Sequence, residues 1–348
     1  MYGFNYQDDE HGNITMVTTP SKPGPKPRIS SKATILTADI GNEIREVWRH
    51  NLEYEMSLIR DLVDQYPYVA IDTEFPGFVN KPIESMRMNP DYNYQTLRSN
   101  VDLLKIIQFG ITFSDHLGRL PKPTCTWQFN FKFSLKEDMY SPYAIELLAS
   151  CGIEFSKIEE DGIEVTDFSE LFISSGIILN ENIKWICFHG GYDFGYLLKV
   201  LTCTDLPKKE SEFFDLLKLY FPCIYDVKYL MKSCKSLGKG SLSGLAEDLN
   251  VLRIGPQHQA GSDSLLTLST FFKLREEFFE NDIDDFKYKG VLYGYNVTPT
   301  NQFFHYPITG GVQYNQHQHQ QQLLQQQQQQ QLLQQQQQQQ QQEDPQYA

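Results

Sequence analysis

Five residues of this chain are of the kinds that bind metal ions and move protons, and they fall in three separate stretches. The first, "VAIDTEFPGF" at 69–78, sets Asp72 and Glu74 two positions apart inside an apolar run. On a strand, residues i and i+2 point to the same face, so both carboxylates converge on one spot. Like charges so placed raise each other's proton affinity, and burying them unpaired is costly. A divalent cation would remove that penalty; a solvated strand end with two harmless acids is the plainer account. The second stretch, "FHGGYDFGYLLKVL", puts Asp193 after a strand and the Gly190-Gly191 break, in the first turn of a helix. The helix dipole alone suffices to explain an acid there; a third carboxylate aimed across the strand ends is the functional alternative. The third, "IGPQHQAGSDSLLTLSTFF", has Asp263 opening a long amphipathic helix behind Ser262 as its N-cap, with His258 five residues earlier. A lone loop histidine is more often a surface residue, but imidazole has the right proton affinity to take a proton from an attacking water.

The elements that must position these groups follow from hydrophobic periodicity. Ile44, Trp48, Leu52, Met56, Ile59 and Val63 lie at helical spacing, which predicts a helix over 43–66 capped by Asn42. "YVAIDTEF", "LLKIIQFGITF" (103–113), "CTWQFNFKF" (125–133) and "IKWICFHG" (183–190) read as strands, and "FPCIYDVKYL" (221–230) as a fifth. Helices are expected over 141–150, 167–177, 192–201, 241–249 and 263–280. Three strands close together, followed by strands alternating with helices, predict an α/β fold with a mixed sheet covered by helices.

Both ends of the chain differ from this middle. Residues 1–38 include "TTPSKPGPKPRISSK" and read as a flexible Pro/Ser-rich arm. Residues 316–342 contain 21 glutamines, a tract that builds no packed core and that either assists assembly or has no function. The folded domain is therefore expected over 39–296, with a disordered tail over 297–348. No apolar run approaches the roughly 18 residues a membrane helix needs, and the N-terminus has no basic start or apolar stretch, so an intracellular location is expected. The six cysteines are dispersed without a C-x-x-C pair and read as reduced thiols. A net charge of −14 excludes a broad basic surface for nucleic acid; any such contact must be local or mediated by cations.

Taken in order, D-x-E on a strand, an aspartate at a strand-to-helix turn and H-x-x-x-x-D at a helix start suit hard ions such as Mg2+ or Mn2+. Two such ions about 4 Å apart can activate water and stabilise the leaving oxygen of a phosphodiester. This order resembles the DEDD exonucleases of the ribonuclease H-like fold, and more closely the CAF1/POP2 deadenylases, the catalytic subunits of the CCR4–NOT complex. "VAIDTEFPG", "NVDLLKIIQFG", "TWQFNFKF", "GYDFGYLLK", "FPCIYDVKYLMKSCK" and "RIGPQHQAGSDSLLT" carry the resemblance, which runs from about Ile44 to Tyr295. It implies a single ribonuclease H-like domain and a 3′→5′ exoribonuclease that shortens poly(A) tails and releases 5′-AMP. It further implies two Mg2+ or Mn2+ ions on Asp72, Glu74, Asp193 and Asp263, with His258 as general base. Poly(A) RNA, a NOT-type scaffold and other CCR4–NOT subunits would be its partners, in cytoplasm and nucleus. An exonuclease acting on DNA or another RNA end, and a scaffold or transcriptional co-regulator, are the competing readings.

Several further residues carry two readings each. Phe75 adjoins the acids and either stacks on a base or belongs to the core, the core being favoured. Asp226 either points to the site or pairs with a neighbour such as Lys228. "MRMNPDYNYQTLRSN" (86–100), with Arg87 and Arg98, fits an RNA groove or an ordinary loop. Trp127, Phe129, Phe131 and Phe133 alternate along a strand and are assigned to the core.

Overall fold

The computed structural model describes residues 2–8, 14–20, 44–80, 91–238 and 240–295. The chain divides into two compact units, Met1–Pro299 and Thr300–Ala348, and all described residues lie in the first. Asn42, Arg87, the tail 297–348 and most of the arm 1–38 lie outside them. Within the arm, however, Tyr2–Asp8 (β1) and Ile14–Pro20 (β2) form an antiparallel hairpin rather than irregular chain. In the sequence, aromatic and β-branched residues stand on both sides of "DEHGN", a composition that is a hairpin signal.

The main sheet has six strands: β3 (Arg45–Val47), β4 (Tyr68–Glu74), β5 (Gln108–Ser114), β6 (Thr126–Asn130), β7 (Lys184–Cys187) and β8 (Ile224–Asp226), in the order β3-β6-β5-β4-β7-β8. β4, β5 and β6 pair antiparallel, while β7 and β8 add beyond β4 in parallel. This is the expected mixed sheet.

The sheet separates two apolar cores. Val69 and Ile71 of β4 enter the larger one, with α1 (Leu52–Leu62), α2 (Tyr92–Leu103), α5 (Val165–Ile173) and α6 (Gly191–Thr202). Along the chain, α3 (Pro142–Ser150) and α4 (Phe155–Asp161) precede α5, and α7 (Glu210–Tyr220) follows α6. Ala70 enters the other core, beneath α10 (Ala260–Phe278) and beside α8 (Val227–Met231) and α9 (Leu242–Asp248). Strand alternation therefore turns Asp72 and Glu74 toward α10 and Thr73 toward α6. Trp127, Phe129, Phe131 and Phe133 are buried as assigned. No helix among the described residues is long and apolar enough to cross a membrane.

Several boundaries differ from the periodicity, and three of them have a clear cause. The helix expected over 43–66 begins only at Leu52, because Arg45–Val47 pairs in parallel with Trp127–Phe129 and Asn51 Oδ1 accepts from Trp48 N at 2.7 Å. The strand expected from 103 starts at Gln108, because α2 runs to Leu103 and Lys199 Nζ caps its end on the carbonyls of Val101, Asp102 and Leu104. The strand over 221–230 is only three residues long. Asp226 ends it by accepting from Lys228 N at 3.0 Å, which starts α8.

Candidate active site

Asp72 and Glu74 occupy the last turn of the pleat in β4, opposite Gly110 and Gln108 of β5. The start of α10 lies directly on these two positions. A Cβ on Gly110 would stand 1.9 Å from Ala260 O, so only glycine lets the helix backbone approach so closely. Gln108 Oε1 accepts from Ala260 N at 3.3 Å and Gln128 Oε1 from Gly261 N at 2.8 Å, which satisfies two of the helix's orphan amides. Gln128 Nε2 in turn donates to Gln259 Oε1 at 2.7 Å and to Glu46 Oε1 at 2.9 Å. Further along, Thr112 Oγ1 and Ser264 Oγ meet at 2.8 Å. The N-terminal half of α10 is consequently buried on all sides over 260–268, where a one-sided amphipathic helix was expected.

Ser262 is not the N-cap. The helix begins at Ala260 with Gln259 in the cap position, and the buried Ser262 hydroxyl donates to Ile254 O at 2.7 Å. The loop from Ile254 thus folds back under the helix and brings His258 with it. His258 adopts φ +60°, a left-handed conformation that costs a non-glycine residue on the order of 1 kcal/mol or more. In that conformation its amide donates to Asp263 Oδ2 at 2.8 Å. The other oxygen, Oδ1, accepts from Arg253 Nη1 at 2.6 Å, and Arg253 also reaches Ser262 and Ser243. Asp263 is therefore held from both sides. Glu74, His258 and Asp263 each offer a donor atom within 4.8 Å of the others.

Asp193 arrives from the opposite face of the sheet, in the first turn of α6. Thr73 Oγ1 donates to its Oδ1 at 2.5 Å, which ties the helix to the middle of the D-x-E stretch. Asp193 and Asp263 are both buried, while Asp72, Glu74 and His258 are partly exposed. Glu74, His258 and Asp263 form the tight group, and Asp72 and Asp193 join it through their charges.

Those charges are under strain. Burial pushes the Asp72 carboxyl well above the usual carboxylate range, and Asp263, Asp193 and Glu74 push it further, against Arg253. Glu74 is raised for the same reasons, burial first, then Asp263 and Asp193. Asp193 is pushed up to about 7 by burial, against its Thr73 hydrogen bonds. His258 is lowered by burial, with Asp263 opposing. An all-oxygen set of acids that resists ionisation alone, beside one imidazole, is what a hard divalent cation would stabilise.

A family model described as CAF1 family ribonuclease matches residues 47–171 and 165–271, which include all five of these residues. The Schizosaccharomyces pombe protein named poly(A) ribonuclease pop2 is 50% identical over 271 residues, 78% of this chain and 80% of that one. The chain belongs to the CAF1 ribonuclease family. Among solved structures, S. pombe Pop2p in its Mg2+- and Mn2+-bound form aligns with a TM-score of 0.69 at 52% identity, over 72% of this chain and 98% of that one. A yeast NOT1 MIF4G domain co-crystallised with CAF1 supplies another match, TM-score 0.61 at 35% identity, over 72% and 96% of the respective chains.

Four residues of this candidate site carried no signal in the sequence: Thr73, Gly110, Gln128 and Arg253. Thr73 acts on Asp193, Gly110 on Ala260 and Gln128 on Gly261, all far along the chain, while Arg253 meets Asp263 through the folded-back loop between them, so no strand or helix period marks any of the four. Phe75 stacks on Tyr192 and Tyr196 at 5.4 and 5.0 Å and packs against the larger core, as the favoured reading held. Asp226 is buried and accepts from backbone amides, Lys228 N among them, rather than entering the acidic group. Of 86–100, the part from Tyr92 onward is helix α2, and Arg98 donates to Leu206 O and pairs with Asp102.

Proposed function

We propose that the chain is a 3′→5′ exoribonuclease that shortens mRNA poly(A) tails by metal-dependent phosphodiester hydrolysis, releasing 5′-AMP, as a subunit of a CCR4–NOT-type complex. Family membership supports the reaction class, the name of the pop2 relative the substrate, and the NOT1 co-crystal the assembly. The observation that carries the reading is the meeting of Glu74, His258 and Asp263 within 4.8 Å, with the Asp193 charge acting on Asp72 and Glu74, and that of Asp263 on both. The reading places the activity in residues 39–296, with the arm 1–38 and the tail 297–348 outside it, in cytoplasm and nucleus.

Asp72, Glu74, Asp193 and Asp263 would hold two Mg2+ or Mn2+ ions, which would neutralise the phosphodiester and lower the proton affinity of water. His258 serves as general base. Its lowered pKa keeps the imidazole neutral near pH 7, ready to accept a proton from the attacking water. Asp263 is aimed by Arg253 and by the His258 amide, so ligand and base share one rigid loop. Thr73 fixes Asp193, and the Gly110 contact fixes the height of α10 above β4.

The test is a time course on a 5′-labelled RNA ending in poly(A), with oligo(U) and single-stranded DNA in parallel. We expect a one-nucleotide ladder that stalls at the first residue other than A, and none from folded Asp72→Ala protein. A folded Asp72→Ala variant that still digests the RNA, or equal digestion of DNA, would sink the reading.

A further inference from the structure

We propose that Glu46, on the edge strand β3, is a positioning residue for the candidate metal ligand Asp263 and the base His258, acting by fixing which way a set of buried amides faces beneath the start of α10. The inference rests on the exoribonuclease reading and adds what holds its site in register.

Two routes run from this one carboxylate to two consecutive amides of the helix. Along the first, Glu46 Oε1 accepts from Gln128 Nε2 at 2.9 Å, and Gln128 Oε1 accepts from Gly261 N at 2.8 Å. Along the second, Glu46 Oε2 accepts from Asn130 Nδ2 at 2.7 Å, Asn130 Oδ1 from Gln108 Nε2 at 2.9 Å, and Gln108 Oε1 from Ala260 N at 3.3 Å. Gln128 Nε2 and Gln108 Nε2 also meet Gln259 Oε1, at 2.7 and 3.4 Å, and Gln259 Nε2 donates to Cys151 O at 3.0 Å. On either route every amide side chain therefore turns its NH2 toward Glu46 and its oxygen toward α10.

The two ends of the network impose that direction. An ionised carboxylate can only accept and a backbone N–H can only donate, so an amide between them has one orientation. Gln108 and Gln128 are each 2% exposed and Asn130 1%, so water does not stand in for a lost partner. Glu46 itself is exposed at the sheet edge, so changing it removes little packing. A glutamine in its place keeps the shape but offers one oxygen and one NH2 where two acceptors stood. Gln128 or Asn130 then faces a donor with a donor, or loses its partner as the new NH2 turns to water. Turning the amide over only passes the mismatch along to Gly261 N or Ala260 N. Those two amides open the turn of α10 that carries Asp263 and follows His258.

The test is a double-mutant cycle of Glu46→Gln with Asn130→Asp on the full chain. Its readouts are the Mn2+ concentration for half-maximal thermal stabilisation and steady-state kinetics on oligo(A). Glu46→Gln should raise that concentration roughly 3–10-fold and lower kcat by a similar factor with KM changed less than about twofold, the low end of what outer partners of a metal ligand contribute. Asn130→Asp alone sets a second carboxylate against Glu46 and should be impaired as well. Combined, the new glutamine donates to the new aspartate and accepts from Gln128, which restores the matching. Only the long contacts of Asn130 Nδ2, 3.3 Å to Val47 O and 3.4 Å to Gln128 O, are then lost. The double variant should therefore outperform both single variants, a reversal that packing alone does not produce. A folded Glu46→Gln variant with wild-type Mn2+ requirement and kcat overturns the proposal, as does a double variant no better than Glu46→Gln. Should Glu46→Gln fail to fold, a double variant that folds and is stabilised by Mn2+ supports the matching, and one that also fails to fold overturns it. Wild-type protein that leaves poly(A) undigested defeats the exoribonuclease reading instead. The Mn2+ midpoint needs no turnover and still decides the role of Glu46.

Discussion

Asp193→Asn removes one buried charge while keeping the side-chain volume, and its Oδ1 can still accept from Thr73. The wild-type carboxyl is pushed from 3.8 up to about 7, chiefly by burial. A carboxyl whose folded pKa exceeds its unfolded value imposes no charge penalty below the lower figure. Stability is then lost progressively as pH rises through the upper one. At about 1.36 kcal/mol per pH unit, the loss is on the order of 2 kcal/mol near pH 5 and 4 kcal/mol above pH 7. The asparagine variant escapes it. In metal-free protein its advantage should therefore widen by on the order of 2–3 kcal/mol between about pH 5 and pH 8, or roughly 5–10 °C in melting temperature. Removing this charge also eases Asp72 and Glu74, which it pushes up. Differential scanning fluorimetry in EDTA at both pH values reads the gap, and Mn2+ added at the higher pH should raise the wild type far more than the variant. A variant no more stable than wild type near pH 8, or a gap that does not change with pH, would refute the claim that the acids are held together against their own charge.

Two further substitutions probe the scaffold. Gly110→Ala drives a methyl group into Ala260 O, and the forced rise of α10 should lower the melting point by the equivalent of about 1–3 kcal/mol while cutting kcat more than KM; thermal melts and steady-state kinetics read both. Arg253→Gln frees one oxygen of Asp263, so the Mn2+ concentration needed for half-maximal thermal stabilisation should rise roughly 10–100-fold with the fold intact, as for other groups that orient a metal ligand.

The acids and histidine of the candidate site were legible from their order along the chain and the family resemblance rather than one by one: the strand period places Asp72 and Glu74 on one face and helix starts mark Asp193 and Asp263, but each pattern alone also has a plainer account. The mixed sheet was legible too, since its strands are runs of apolar residues in a recognisable order. Element ends were less so. The helical spacing from Ile44 to Val63 runs across what is really a short strand, a turn and a helix, because pairing with β6 claims Arg45–Val47. The hairpin of β1 and β2 was obscured by the proline-rich segment that follows it.

What only the tertiary structure decided is how those acids become one group. Asp193 comes from one face of the sheet and Asp263 from the other, and neither strand nor helix period carries information across that divide. Their meeting depends on a missing side chain at Gly110, on the Gln108 and Gln128 side chains beneath the amides of α10, and on the left-handed turn at His258. These contacts join residues that are distant in the chain, and their energy comes from packing and from satisfying buried polar groups. Such terms exist only once the backbone has already been brought together, so no local pattern in the sequence records them.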